Sequence, residues 1–296
     1  GRGIYGREAL NMNADADMKD QAKNYRLFEE TLTILKKAWT NKFFNHDGEF
    51  YKYPAPNFEL EHDKSPPSSE FMNLDTKILE KISIVPQTVQ KPHPPLWSAC
   101  GSDETVRLAA EMGLGALVGS EGGPEKVGNL LDLYRKTIKS ASPTGMVNAQ
   151  NALMTAGFCH EDPKVVDTRG VELVHWYMEQ QRERARLVWK GVDPTTVPPD
   201  YQGYYEKDMQ LAAGPHAGDK TAEEVVKQGT SFLVGTPEDC IRFVEEYEAM
   251  GVEQVFSLNA IGPESHEETM NTLKMFGEHV IPYFKAKDKA QQDKAK

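Results

Sequence analysis

The sequence predicts an α/β fold in which a parallel sheet is connected by crossover helices. Two observations predict it. Short apolar runs at 96–99, 116–118, 149–158 and 252–258 alternate with capped amphipathic segments. Strand–helix alternation at this spacing places consecutive strands parallel, because an antiparallel return needs only a short turn. Two closures fit, an open doubly wound sheet or a barrel. Four clear strands are too few for a closed barrel, so either the sheet is open or a missing N-terminal part supplies the rest.

Each element has its own signal. Residues 1–22 are polar and carry glycine, the pattern of a loop. Gly1-Arg2-Gly3 has no initiator Met, so the chain is expected to start inside a larger protein. Phe28, Leu32, Leu35 and Trp39 recur at helical spacing and predict an amphipathic helix. Asp47-Gly48 between Phe43-Phe44 and Phe50-Tyr51 predicts a hairpin. Residues 54–95 hold eight prolines, with one ordered-looking piece near 78–85, and read as a long excursion. After the run at 96–99, Ser102 caps a helix that Gly113 stops. Gly123-Pro124 opens the next helix, with an apolar stripe at Val127, Leu130, Leu131, Tyr134 and Ile138. Residues 165–190 read as a solvated helix and 191–229 as loop-rich. Phe232-Leu233-Val234 leads into a helix start at Thr236-Pro237-Glu238-Asp239, with Cys240, Phe243, Val244, Tyr247 and Met250 on its inner face. Ser265-His266-Glu267-Glu268 is a capping box that opens the last helix, which runs to Phe284.

Composition narrows the function. Lys and Arg number 34 against 45 Asp and Glu, a net charge of -11. A phosphate backbone or anionic lipid surface needs a basic face, so neither nucleic acid nor a membrane is an expected partner. Hydrophobic residues make up 39%, enough for a sizeable core, and no apolar run reaches membrane-spanning length. The lysines of 285–296 are interrupted by Asp and Gln and read as a frayed, solvated tail. Cys100, Cys159 and Cys240 are too few and too scattered for a disulfide framework or a thiolate metal site, which favours a reducing, cytoplasmic setting.

Among the motifs, Gly113-Leu114-Gly115-Ala116-Leu117-Val118-Gly119 imitates a dinucleotide fingerprint. That fingerprint requires a strand before the glycines and a helix opening within them, whereas here the helix precedes and the strand lies inside. No Walker loop, nucleophile elbow or metal-spaced histidine pair is present. The stronger segment is Trp97-Ser98-Ala99-Cys100-Gly101-Ser102-Asp103-Glu104-Thr105. A strand ends, Gly101 lets the backbone turn, and a helix begins whose free N–H groups and dipole favour an anion. Ser102 and Thr105 add hydroxyl donors. Helix capping alone explains the same residues, and Asp103 and Glu104 in the first turn favour that simpler role. Cys100 reads as a buried filler, His160-Glu161-Asp162 as a solvated loop, and His46 and His93 carry no functional signal.

The chain resembles the bacterial luciferase-like flavin-dependent monooxygenase family over nearly its whole length. Arg2-Gly3-Ile4-Tyr5 is similar to the segment after the family's fourth barrel strand, and Tyr25-Arg26-Leu27-Phe28-Glu29-Glu30 to the following helix start. Gln90-Lys91-Pro92-His93-Pro94-Pro95-Leu96-Trp97 looks like the lead into the fifth strand, and 102–113 like the helix after it. Val234-Gly235-Thr236-Pro237-Glu238 resembles a late helix start, and Gly251-Val252-Glu253-Gln254-Val255 the entry to the eighth strand.

The resemblance implies a (β/α)8 TIM barrel, truncated at the N-terminus and covering the end of strand four to helix eight. On that basis residues 1–296 are the C-terminal two-thirds of a single domain, with an insertion at about 43–94, a lid at about 191–229 and a disordered tail at about 286–296. It implies FMN bound by its phosphate, with Arg2 and Arg26 at the family's arginine positions and Gly101, Ser102 and Thr105 at its hydroxyl-bearing turn. Planar guanidinium forks suit a phosphate dianion. Gly1, Gly101 and Ser120 stand where the luciferases proper have Cys, Glu and Trp, which argues for an ordinary oxygenase and not light emission. The implied activity is oxygenation of a small organic substrate by reduced FMN and O2, the flavin being supplied by a separate reductase. The alternatives are a dehydrogenase using the deazaflavin coenzyme on the same fold and a flavin-free barrel paralogue acting as a subunit partner. No metal is expected, and the expected partners are the substrate, the reductase and a second copy of the chain as a homo-oligomer. The catalytic acid or base is expected before Gly1.

Overall fold

The computed structural model describes residues 13–17, 20–60, 66–141, 143, 145–197, 199–214 and 219–294. The chain divides into two compact units. The first is Gly1–Leu96, Ser142–Asn148 and Val188–Gln202, and the second is Trp97–Ala141, Ala149–Leu187 and Gly203–Lys296.

In the first unit, α1 (Gln21–Thr40) starts at Asp20, whose carboxylate accepts the Lys23 N–H. Leu27 and Ala38 are buried but Leu35 is 39% exposed, so the inner stripe is rotated from the one the spacing gives. The hairpin at Asp47-Gly48 pairs β1 (His46–Asp47) with β2 (Lys52–Tyr53) in antiparallel register. Its loop is held from outside: the Glu30 carboxylate accepts the Phe50 and Tyr51 N–H groups at 3.1 and 2.8 Å and lies 3.0 Å from His46 Nε2. The proline-rich excursion is tied down by isolated bridges, Phe44 to Ile82, Glu59 to Ile78 and Met72 to Leu79. His93 is buried, its Nδ1 2.7 Å from the Pro94 carbonyl, while Nε2 accepts the Met146 N–H at 3.0 Å.

The second unit holds the parallel sheet. Its strands are β3 (Trp97–Cys100), β4 (Gly115–Gly119), β5 (Asn151–Cys159), β6 (Leu233–Gly235) and β7 (Val255–Leu258). β3 pairs with β4, β4 with β5, and β5 with both β6 and β7, all in parallel. Apart from the short β6, neighbours follow chain order without reversal. A doubly wound sheet reverses at a switch point, and a barrel does not. The sheet also curls: the rings of Trp97 on β3 and Phe256 on β7 lie 6.3 Å apart although two strands separate them.

Helices pack against the sheet. α2 (Asp103–Glu111) ends before Gly113 at φ +69°, the left-handed stop read from sequence. α3 (Gly123–Ile138) buries Val127, Leu130, Leu131 and Tyr134, and the Tyr134 hydroxyl donates to the Leu114 carbonyl at 2.9 Å. After β5, a short turn (Pro163–Val165) and a π turn (Val166–Gly170) lead into α4 (Val171–Val188), which buries Leu173, Val174 and Ala185. α7 (Pro237–Ala249) and α8 (His266–Met275) begin with complete capping boxes at Thr236 and Ser265.

Two expectations change. The segment 191–229 is not mostly loop: it carries α5 (Pro199–Ala212) and α6 (Ala222–Gln228). The solvated tail is not frayed either. A π turn (Phe276–Val280) continues into α9 (Ile281–Lys294), fixed by Tyr283 to Glu245 at 2.8 Å and by Lys287 to Glu245 and Glu248 at 3.3 and 2.5 Å. No described helix is long and apolar enough to cross a membrane.

Candidate functional site

β3 and β4 are parallel neighbours, so the helices that follow them start at the same edge of the sheet. The backbone leaves β3 at Cys100, turns at Gly101 and enters α2 at Asp103. Thr105 organises this turn. Its hydroxyl oxygen accepts the N–H groups of Gly101 and Ser102, both at 3.0 Å, and its own O–H donates to the Ser102 carbonyl at 3.0 Å. Ser102 closes the box by accepting the Thr105 N–H at 3.4 Å. Both hydroxyls therefore act in capping. What the turn leaves for a ligand is the first two N–H groups of α2, which have no acceptor inside a helix, and open space beside Gly101, where an added Cβ would meet nothing within 4 Å. Asp103 and Glu104 place two carboxylates in the same first turn.

Cys100, next to this turn, is inert. It is 5% exposed, and burial pushes its thiol up to about 12, so almost no thiolate forms near neutral pH. At the end of β4, buried Ser120 donates to the Ser231 carbonyl at 2.5 Å, and the buried Tyr247 hydroxyl donates to Thr230 at 2.6 Å and lies 3.3 Å from the Ser120 carbonyl. Ser120 thus stitches the strand end to the segment entering β6. His160, Glu161 and Asp162 form a solvated capping turn after β5, with the Asp162 N–H on His160 Nδ1 at 3.0 Å.

The residues read from sequence are only partly brought together. Gly101, Ser102 and Thr105 form one turn. Arg26 belongs to the other unit, where its guanidinium forks the Glu49 carboxylate at 2.9 and 3.0 Å, half exposed. Arg2 lies outside the described residues. Among the described residues, no three His, Cys, Asp or Glu side chains gather as a metal site.

Sequence reasoning missed three features that join distant residues. Arg169 binds Glu268 through Nε at 2.7 Å and the Pro263 carbonyl through Nη2 at 2.7 Å, and this holds the Glu268 carboxyl down to about 2. Arg184 forks Asp208, which is 1% exposed, at 3.0 and 2.9 Å. Lys126 on α3 stands beside Lys207 on α5, and burial, followed by that neighbour, pushes its amine down to about 8. No short-range pattern announces any of them.

Comparison with known proteins places this geometry. The family model for luciferase-like monooxygenase matches residues 1–254, across both units. No curated protein matches the chain significantly. Among solved structures, the chain is similar to the FMN-bound oxygenating constituent of 3,6-diketocamphane monooxygenase from Pseudomonas putida, at TM-score 0.61 and 17% identity, over 95% of this chain and 69% of that one. Monooxygenase RslO1 from Streptomyces bottropensis gives 0.57 and 18%, over 96% and 67%. An F420-dependent secondary alcohol dehydrogenase gives 0.57 and 12%, over 95% and 67%. At these identities the likeness concerns the fold alone. With the family model covering most of its length, the chain belongs to the luciferase-like monooxygenase family.

Proposed function

We propose that the chain forms the flavin-binding part of a (β/α)8 barrel monooxygenase. Reduced FMN from a separate reductase supplies two electrons, O2 supplies one oxygen atom to a small organic substrate, and the other oxygen leaves as water. The flavin carries the redox chemistry; the protein binds, orients and shields it. The observation that carries this proposal is the strand-to-helix turn at Gly101, with open space beside it and the α2 N-terminus facing the same edge. Its N–H groups suit a phosphate, while Thr105 and Ser102 hold the turn in shape. Arg2 and Arg26 are proposed, on the family resemblance, as the guanidinium partners of that phosphate. The segment 191–229 is proposed to cover the site and exclude water.

The test is a fluorescence titration of the protein with FMN, riboflavin and the deazaflavin coenzyme. FMN is expected to bind more tightly than riboflavin, and Arg26→Ala to remove most of that preference, about ten- to a hundredfold for one charge-assisted contact. Tighter binding of the deazaflavin coenzyme would favour the dehydrogenase alternative. Saturation by none of the three would favour a flavin-free subunit.

A further inference from the structure

The last helices carry an apolar row that the described residues leave open. α8 (His266–Met275), the π turn (Phe276–Val280) and α9 (Ile281–Lys294) follow one another without a loop. Thr272, Met275, Phe276 and Val280 form their buried side. Met270, Leu273 and Ile281 point elsewhere, 51%, 43% and 48% exposed, and Gly277 stands exposed among them. The π turn adds one residue to its turn, which keeps Ile281 two turns on from Leu273 and on the same face. A Cβ added to Gly277 would meet nothing within 4 Å. The outward face of a surface helix is normally polar, and a row of large apolar side chains there marks a contact surface. Charges flank the row: Glu267, Lys274, Glu278, Lys285 and Lys289 are all exposed. None of the five forms an ion pair among the described residues.

We propose that this face docks on the same face of a second copy of the chain, antiparallel about a two-fold axis at Gly277. A position on a two-fold axis meets its own copy, and glycine lets the two backbones approach there. Leu273 and Ile281 stand four residues before and after Gly277, so Leu273 of each copy meets Ile281 of the other. Glu267 stands ten residues before Gly277, and Lys285 and Lys289 eight and twelve after it. Each Glu267 carboxylate therefore falls level with the space between two ammonium groups of the other copy. Lys274 and Glu278, three before and one after, are brought together in the same way. A parallel arrangement would set every one of these charges against its own kind. Charge thus fixes the orientation, and the apolar row supplies the contact. The docking does not depend on the flavin site proposed above.

Sedimentation and light scattering of the chain over about 1 to 100 μM should show a monomer passing into a dimer. Gly277→Cys, gently oxidised, should link to its own copy, because Cα atoms beside a two-fold axis come within disulfide reach. Cys100, Cys159 and Cys240 are buried and do not compete. Lys289→Cys, far from the axis, should stay unlinked. Glu267→Lys, and Lys285→Glu combined with Lys289→Glu, should each weaken self-association about tenfold, since each reversal acts twice in the dimer. Mixing these two variants should restore association, because the reversed ends then match. Wild-type-like thermal unfolding checks that both variants fold. A monomer throughout the range, equal or no linking at positions 277 and 289, or charge variants that fail to restore each other on mixing overturns the docking.

Discussion

Thr105→Val isolates the role of one hydroxyl in the turn at the end of β3. Valine keeps the shape of the side chain and removes the oxygen that accepts from Gly101 N–H and Ser102 N–H and donates to the Ser102 carbonyl. Each neutral hydrogen bond has a net worth of about 1 kcal/mol, and the turn is half-buried, so water replaces part of the loss. The expected cost is about 2 kcal/mol, the upper range for a lost helix cap. Urea unfolding of wild type, Thr105→Val and Thr105→Ser reads it. Serine retains the oxygen and should stay within about 0.5 kcal/mol of wild type, the usual range for a change that breaks no special feature. FMN affinity should fall in the valine variant, because the loosened turn no longer aims the α2 N–H groups, while riboflavin affinity holds. If valine and serine have equal stability, the hydroxyl does not organise the turn. If FMN and riboflavin weaken together, no phosphate sits there.

Two further outcomes follow from the charged pairs. Asp208→Asn leaves Arg184 facing a buried neutral amide and should cost about 3 kcal/mol; limited proteolysis should then cut within 199–229 earlier than in wild type, and an unchanged pattern would mean that the pair does not hold α5. Arg169→Met should cost about 1–2 kcal/mol at pH 7, discounted for partial exposure. Glu268 has a folded pKa of about 2 against an ordinary 4.5, so its contribution is complete above about 4.5 and is lost as pH falls toward 2. The stability gap between wild type and Arg169→Met should therefore narrow in acid, and a pH-independent gap in thermal or urea unfolding would contradict this.

What the sequence made legible was local. Ser102, Thr236 and Ser265 each cap the helix they precede, and Gly113 takes the left-handed conformation its position demands. The four main strands lie where their apolar runs do. α6 was missed despite a signal, since Thr221 and Glu224 form a complete capping box. α5 gave little signal: Gly203 interrupts it, and its anchor is the charge pair to Arg184 on another helix. α9 has no apolar stripe and is held through Tyr283 and Lys287 by α7. The site divides the same way. Gly101 to Thr105 is contiguous and was readable, whereas Ser120 and Ser231 are 111 residues apart and meet only in the fold.

The sheet's central strand changes partner along one edge. The Ala116 N–H donates to the Gln150 carbonyl, just before β5, and the His160 N–H, just after it, donates to the Gly235 carbonyl. Both are even-numbered positions, so β4 and β6 lie along the same side of β5, one after the other. At the gap between them, side chains replace ladder bonds: the Leu233 N–H donates to Thr155 Oγ1 at 3.2 Å, and Ser120 and Tyr247 hold the carbonyls of Ser231 and Thr230. The chain therefore leaves β5 at residue 159 and returns to the same edge at 233, with its point of return fixed independently of the path between. Such an arrangement behaves as a cassette. A change in the length of the helices between should leave the sheet register unmoved, because Thr155, Ser120 and Tyr247 hold the point of return from outside that segment.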